Sequence, residues 1–232
     1  MKHYVVTGAG SGIGQAVADR LHMRGDALYL TASGPASSAR LAERYPAARI
    51  FVADLGEPGS LAAAVADVDL PERLNGLVHV AGALCLGPVA ELTLEDWYTS
   101  LAVNLTAPAE LTRLLMPRLR HTGGHVVFVN STSGMKTQGD WAAYSASKYG
   151  LRALADALRD EESDTGLRVT TVYPGRTATP MQETVHAHEG RDYEPERWIA
   201  PDTVATAVLT AVDLPDDAEV SDITVRVRPG RG

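Results

Sequence analysis

The chain of 232 residues is 45% hydrophobic and 22% charged, enough to bury one sizeable core and too short for two full domains. A net charge of -8 without any basic run excludes a polyanion-binding surface and sets nucleic acid aside. The single cysteine, Cys85, excludes an internal disulfide, and no apolar stretch approaches the roughly 18 to 20 residues of a membrane span, so a soluble protein of the reducing cytoplasm is expected.

The segment MKHYVVTGAG runs into a first strand, Tyr4 to Thr7, with no signal-peptide core ahead of it. That strand empties into Thr7-Gly8-Ala9-Gly10-Ser11-Gly12-Ile13-Gly14, and a helical period begins at once, over Ile13 to Arg24. A strand, a glycine turn and a helix N-terminus together offer backbone N–H groups and a favourable helix-end potential to a diphosphate. A flexible connecting turn is the plainer reading. The glycines follow T-G-x-x-x-G-x-G, at Gly8, Gly12 and Gly14, and not G-x-G-x-x-G.

A second strand spans Ala27 to Ala32, and from Thr31 to Arg40 no acid occurs. A helix over Ala36 to Tyr45, a strand over Arg49 to Asp54, a helix over Ser60 to Val68 and a strand over Gly76 to Val80 follow. The alternation then continues with a long helix over Leu94 to Leu119 and a strand over His125 to Asn130. After these come a helix over Trp141 to Glu162, a strand over Arg168 to Tyr173, a helix over Pro201 to Val212 and a last strand over Ile223 to Val227. Strands such as LVHV and HVVFV lack strict alternation, as expected of parallel strands buried on both faces. The pattern predicts an α/β fold: one domain over residues 1–232, a doubly wound, Rossmann-like, seven-stranded parallel sheet flanked by helices. Ligands of such sheets sit beyond the carboxyl ends of the strands, where the strand order reverses. Residues 176–200 show no clear period and are expected to form a substrate lid or a surface excursion.

In the helix over Trp141 to Glu162, Tyr144 and Lys148 stand four residues apart and share a face. A phenol with a pKa of about 10 is a poor acid-base group at neutral pH, and a neighbouring ammonium favours its phenolate. An isolated pair of this spacing would more often be a packed tyrosine beside a solvated lysine. Here Ser131 ends the preceding strand, with Thr132 and Ser133 as close competitors.

These motifs, in order, resemble the short-chain dehydrogenase/reductase family, and the likeness runs from Lys2 to the C-terminal strand. The resemblance implies an oxidoreductase using NADP or NAD, with the loop through Gly8, Ser11, Gly12, Ile13 and Gly14 on the pyrophosphate. Asp54 and Leu55 match the family's adenine-contacting pair, although Asp54 could equally cap the next turn. The family's Asn-Asn-Ala-Gly reads His79-Val80-Ala81-Gly82, which keeps Ala81 and Gly82 by the cofactor and loses the asparagines, so the structural tie must come from elsewhere. Pro174-Gly175-Arg176-Thr177-Ala178-Thr179 resembles P-G-x-V-x-T. Pro174, Gly175, Thr177 and Thr179 would meet the nicotinamide carboxamide, Thr177 by its backbone alone. The close SDITVRVRP departs from the usual glycine-ended form.

By the same resemblance Ser131, 13 residues before Tyr144, is the catalytic serine, Tyr144 the acid-base and Lys148 its partner on the nicotinamide ribose. Asn104 in LAVNLTAP matches the helix asparagine that holds a water in a proton relay; a mid-helix bend or packing group is its other reading. Tyr144, Lys148 and Asn104 thus also count among the cofactor-binding residues. At the end of the second strand a carboxylate would repel a 2′-phosphate; Ser33 stands there instead, with Arg40 one or two turns further on, and NADP is favoured over NAD. The expected substrate is a small carbonyl compound or secondary alcohol, and the expected assembly a homodimer or homotetramer through the helices of Asn104 and Tyr144. A catalytically silent cofactor sensor would not need the proton donor. A sugar-nucleotide epimerase would need a longer C-terminal part. His186 and His188 lack an evident third metal ligand and lie in a segment expected to be exposed, so no metal is assigned.

Overall fold

The computed structural model describes residues 1–228 and residue 230; Pro229, the last residue of SDITVRVRP, lies outside the described residues. Seven strands form one parallel sheet: β1 (His3–Val6), β2 (Ala27–Ala32), β3 (Arg49–Val52), β4 (Gly76–His79), β5 (His125–Val129), β6 (Arg168–Pro174) and β7 (Asp222–Val225). Their order is β3-β2-β1-β4-β5-β6-β7, so the winding reverses between β1 and β4. The central register sets Val5 beside Leu77, and Leu77 beside Val126.

The helices are α1 (Gly12–Met23), α2 (Pro35–Arg44), α3 (Leu61–Asp67), α4 (Leu94–Leu101), α5 (Ala107–Arg120), α6 (Ala142–Glu161), α7 (Pro180–Glu189) and α8 (Pro201–Val212). Adjacent side chains on a strand point to opposite faces, which divides the core in two. Val6, Val78 and Val127 pack under Val17 and Leu21 of α1 and Val208 of α8. On the other face Val5, Leu77 and Val126 meet Leu111 and Leu115 of α5 and Leu151 of α6. Among the described residues no helix is long and apolar enough to cross a membrane.

Two segments differ from the sequence expectation. The helix expected over Leu94 to Leu119 is divided by a π turn, Ala102–Thr106, in which the N–H of Ala107 reaches back to the Ala102 carbonyl. Such a turn inserts an extra residue into the helix and commonly marks a functional position; Asn104 sits inside it. The stretch at residues 176–200 is not aperiodic either. Thr179 caps α7 through a bond its Oγ1 accepts from the N–H of Gln182 (3.3 Å), Pro180 occupies the first turn, and Gly190 closes the helix at φ 63°.

Candidate active site

A cleft of about 420 Å³ opens beyond the carboxyl ends of β1, β4, β5 and β6, at the reversal of strand order. Its floor is the turn from β1 into α1. Gly8, Ser11, Gly12, Ile13 and Gly14 all line it. A Cβ on Gly14 would stand 2.1 Å from the carbonyl oxygen of Gly8, so the helix must start against the turn with no side chain between. Ser11 precedes α1 without a side-chain cap and no acid occupies the first turn, which leaves the helix's opening N–H groups available to an anion. These features fit a dinucleotide's diphosphate.

Ala81 and Gly82 form the adjoining wall. The tie that the missing asparagines would supply comes from Thr7, whose Oγ1 accepts from the N–H groups of Val80 (3.0 Å) and Ala81 (3.1 Å). His79 turns away from the cleft, bonds Thr112 Oγ1 at 2.9 Å and stacks on Phe128. Asn104 is fully buried behind the cleft. Its amide donates to the Ala83 carbonyl (2.9 Å) and Ser147 Oγ (3.0 Å), and its oxygen accepts from the Ala83 N–H (2.9 Å).

Ser131, Tyr144 and Lys148 converge on the cleft between β5 and α6. Their placement depends on a residue that sequence reasoning missed, Asn130. Its Oδ1 accepts from the Ser131 N–H (2.8 Å), while its Nδ2 donates to the Lys148 carbonyl (3.0 Å), tying strand end to helix. A Cβ at Gly134 would meet that Asn130 oxygen at 2.5 Å, so the turn after Ser131 can lie against α6 only with glycine there. A polar residue closing an otherwise apolar buried strand was the available signal.

Lys148 is buried, and its Nζ donates to the Val129 carbonyl at 3.2 Å; desolvation pushes its pKa down to about 8. The sequence suggested that this ammonium would lower the Tyr144 pKa. In the structure burial dominates and raises the phenol, opposed by its hydrogen bond with Ser131. Trp141 packs edge-on against the Tyr144 ring at 5.7 Å.

Pro174, Gly175, Thr177 and Thr179 line the opposite wall. Arg176, beside them, forks onto Glu189 and stacks on Trp198 at 5.4 Å, which pins α7 over the cleft. His186 is buried, contrary to the exposed segment expected, because it packs between Tyr193 (5.3 Å) and Trp198 (5.2 Å). His188 faces Asp140 at 3.5 Å instead, so the two histidines do not share a ligand geometry.

Ser33, Asp54 and Leu55 lie outside the cleft lining, towards the β2–β3 edge. Asp54 Oδ1 accepts from the Gly56 N–H at 2.8 Å, the turn-capping alternative for this residue. Ser33 is exposed at the end of β2, 3.4 Å from Ser37 across their hydroxyls.

A family model described as short chain dehydrogenase matches residues 2–190. The chain belongs to the short-chain dehydrogenase family. Among relatives, an uncharacterized oxidoreductase of Staphylococcus epidermidis is 28% identical over 225 residues, covering 96% of this chain and 95% of that protein. Two solved members of the fold are similar throughout. A variant of actinorhodin polyketide ketoreductase with NADPH superimposes with a TM-score of 0.88 at 28% identity, covering 97% of this chain and 96% of its own. A metagenomic short-chain oxidoreductase in complex with NADP gives 0.82 at 29% identity, covering 98% and 97%. The chain is therefore an oxidoreductase of the short-chain dehydrogenase family.

Proposed function

We propose that the protein interconverts a carbonyl compound and a secondary alcohol, with NADP preferred over NAD. The convergence of Ser131, Tyr144 and Lys148 beside the glycine turn carries this reading. When bound, a nicotinamide cofactor supplies or accepts the hydride. Gly8, Ser11, Gly12, Ile13 and Gly14 hold its diphosphate, Ala81 and Gly82 flank it, and Pro174, Gly175, Thr177 and Thr179 face its nicotinamide end. In reduction Ser131 Oγ bonds the substrate oxygen as charge develops there, and Tyr144 gives that oxygen a proton. Lys148 keeps a positive charge beside them and meets the cofactor's ribose; in oxidation the proton returns to Tyr144. Asn104 has its side-chain amide committed to Ala83 and Ser147, so its part in a relay falls to the backbone of the π turn. A purely cofactor-sensing protein would have no use for this proton-transfer group.

The NADP preference is supported by the acid-free end of β2. Ser33 and the N-terminus of α2 stand where a carboxylate would repel the 2′-phosphate, Arg40 makes no ion pair among the described residues, and both similar solved structures described above hold NADP or NADPH. Asp54 and Leu55 are assigned to the adenine side. Leu94, Tyr98 and Tyr149 stand exposed on α4 and α6, which supports assembly as a homodimer or homotetramer through these helices, in the cytoplasm. Sedimentation velocity on the purified protein checks the assembly.

The decisive variant is Tyr144→Phe. It should lose turnover by about 100-fold or more, since a positioned acid-base contributes that much, while NADPH still quenches the protein's fluorescence with near wild-type affinity. Wild-type turnover in that variant would sink the mechanism. Parallel titrations with NADPH and NADH test the cofactor, tighter NADH binding being the result that overturns the preference.

A further inference from the structure

Among the described residues three cations line the cleft, Lys136, Lys148 and Arg176, and no Asp or Glu does, in a chain whose acids outnumber its Lys and Arg by 29 to 21. Two of the three are engaged. Lys148 is buried against the Val129 carbonyl, and Arg176 is held by Glu189 and Trp198. Lys136 is exposed, and among the described residues its ammonium makes no hydrogen bond or ion pair. Its backbone, by contrast, is fixed: the N–H donates to the Thr132 carbonyl at 3.0 Å, in the turn that begins at Ser131. The lysine therefore extends from the same turn that presents the Ser131 hydroxyl.

Lys136 belongs to the turn that follows β5, whereas the glycine turn assigned to the cofactor's diphosphate follows β1, with β4 between the two strands. The other charge on this loop, Asp140, faces His188. The other residues that line the cleft from this loop and from α7 are neutral, among them Gln138 and Trp141 from the loop and Met181 and Val185 from α7.

We propose that the substrate is an oxo acid, or the matching hydroxy acid, whose carboxylate is held by Lys136 while its apolar body lies against Trp141 and Met181. One unpaired ammonium in an acid-free cleft matches a single negative charge; in a protein of net charge -8 it also offsets the general repulsion of an anion. This rests on the carbonyl-reducing reading above, and two readouts keep the two apart.

The first is kcat/KM with NADPH for matched aliphatic and aryl α-, β- and γ-oxo acids and their methyl esters, in wild type, Lys136→Met and Lys136→Glu. The acid-to-ester ratio should fall about tenfold or more from wild type to Lys136→Glu, with Lys136→Met between them. The second is independent of turnover: quenching of tryptophan fluorescence by the same acids and esters in NADP-saturated protein, with NADPH affinity reporting that each variant is folded. If no compound is reduced, the reaction proposed above fails while the quenching ratio still decides on Lys136. Acids that bind no better than esters in wild type, or an acid-to-ester ratio unmoved in Lys136→Glu, would overturn the assignment.

Discussion

Lys148 and Tyr144 shift in opposite directions for one reason: burial penalises whichever form is charged. The lysine is therefore cationic below about 8 and neutral above it, whereas the phenol keeps its proton beyond its ordinary 10. Over the working range the tyrosine remains a donor and the lysine is the group that titrates. The kcat/KM for carbonyl reduction should be level at lower pH and fall as pH rises through about 8, because the ammonium and not the tyrosine proton is lost first. A profile of kcat/KM against pH checks this. The Lys148→Arg variant stays charged throughout, so whatever activity it retains should show no alkaline limb at that position. A level wild-type profile through pH values well above 8 would remove Lys148 from the reaction.

Elements meet at the site through backbone groups that side chains must satisfy, and Thr7 is the clearest instance. Its hydroxyl serves the N–H groups of Val80 and Ala81 and so joins the end of β1 to the chain leaving β4, where the strand order reverses. Thr7→Val keeps the shape and strands both donors. It should cost about 1–3 kcal/mol by urea unfolding and weaken NADPH binding, while Thr7→Ser should stay close to wild type; an equally stable valine variant would show that water replaces the hydroxyl. The sheet was legible in the sequence because each parallel strand is a short apolar run closed by a turn, and every strand lies within two residues of its expected place. The glycine turn was legible from its place between strand and helix, and Ser131, Tyr144 and Lys148, singled out by the family resemblance, all line one cleft. Thr7, Asn130 and the interior of α7 were not. Thr7 acts through backbone N–H groups distant in sequence; Asn130 showed itself only as a polar residue closing an apolar strand, which does not reveal its reach to the Lys148 carbonyl; and α7 buries His186 against Tyr193 and Trp198 further along its own segment. Its Thr179-Pro180 start and Gly190 stop were nonetheless readable as helix ends.

Across the whole molecule the sheet buries two neutral histidines, one on β4 and one on β5. His79 is enclosed by Thr112 and Phe128, and desolvation holds its pKa at about 3. His125 is held at about 3 by burial first and by Arg168 second. Its tautomer follows from the hydrogen bonds: Thr170 gives its hydroxyl proton to the Val220 carbonyl at 2.5 Å, so its oxygen accepts from His125 Nε2–H at 2.8 Å. Both folded values lie below the ordinary 6.5, so the unfolded chain takes up protons that the folded chain refuses. The stabilisation is complete above about 6.5 and is lost as pH falls towards 3, at up to about 1.4 kcal/mol per pH unit for each histidine. Urea unfolding between about pH 6 and 5, above the range where carboxylates titrate, should therefore show stability falling by up to about twice that figure per unit. His79→Asn, which keeps a polar partner for Thr112 without a titrating ring, should remove roughly half of the slope. A wild-type stability that does not change across this interval would mean that protons reach both rings in the folded protein, and that the two strands ending at the candidate cleft open to water far more readily than their packing implies.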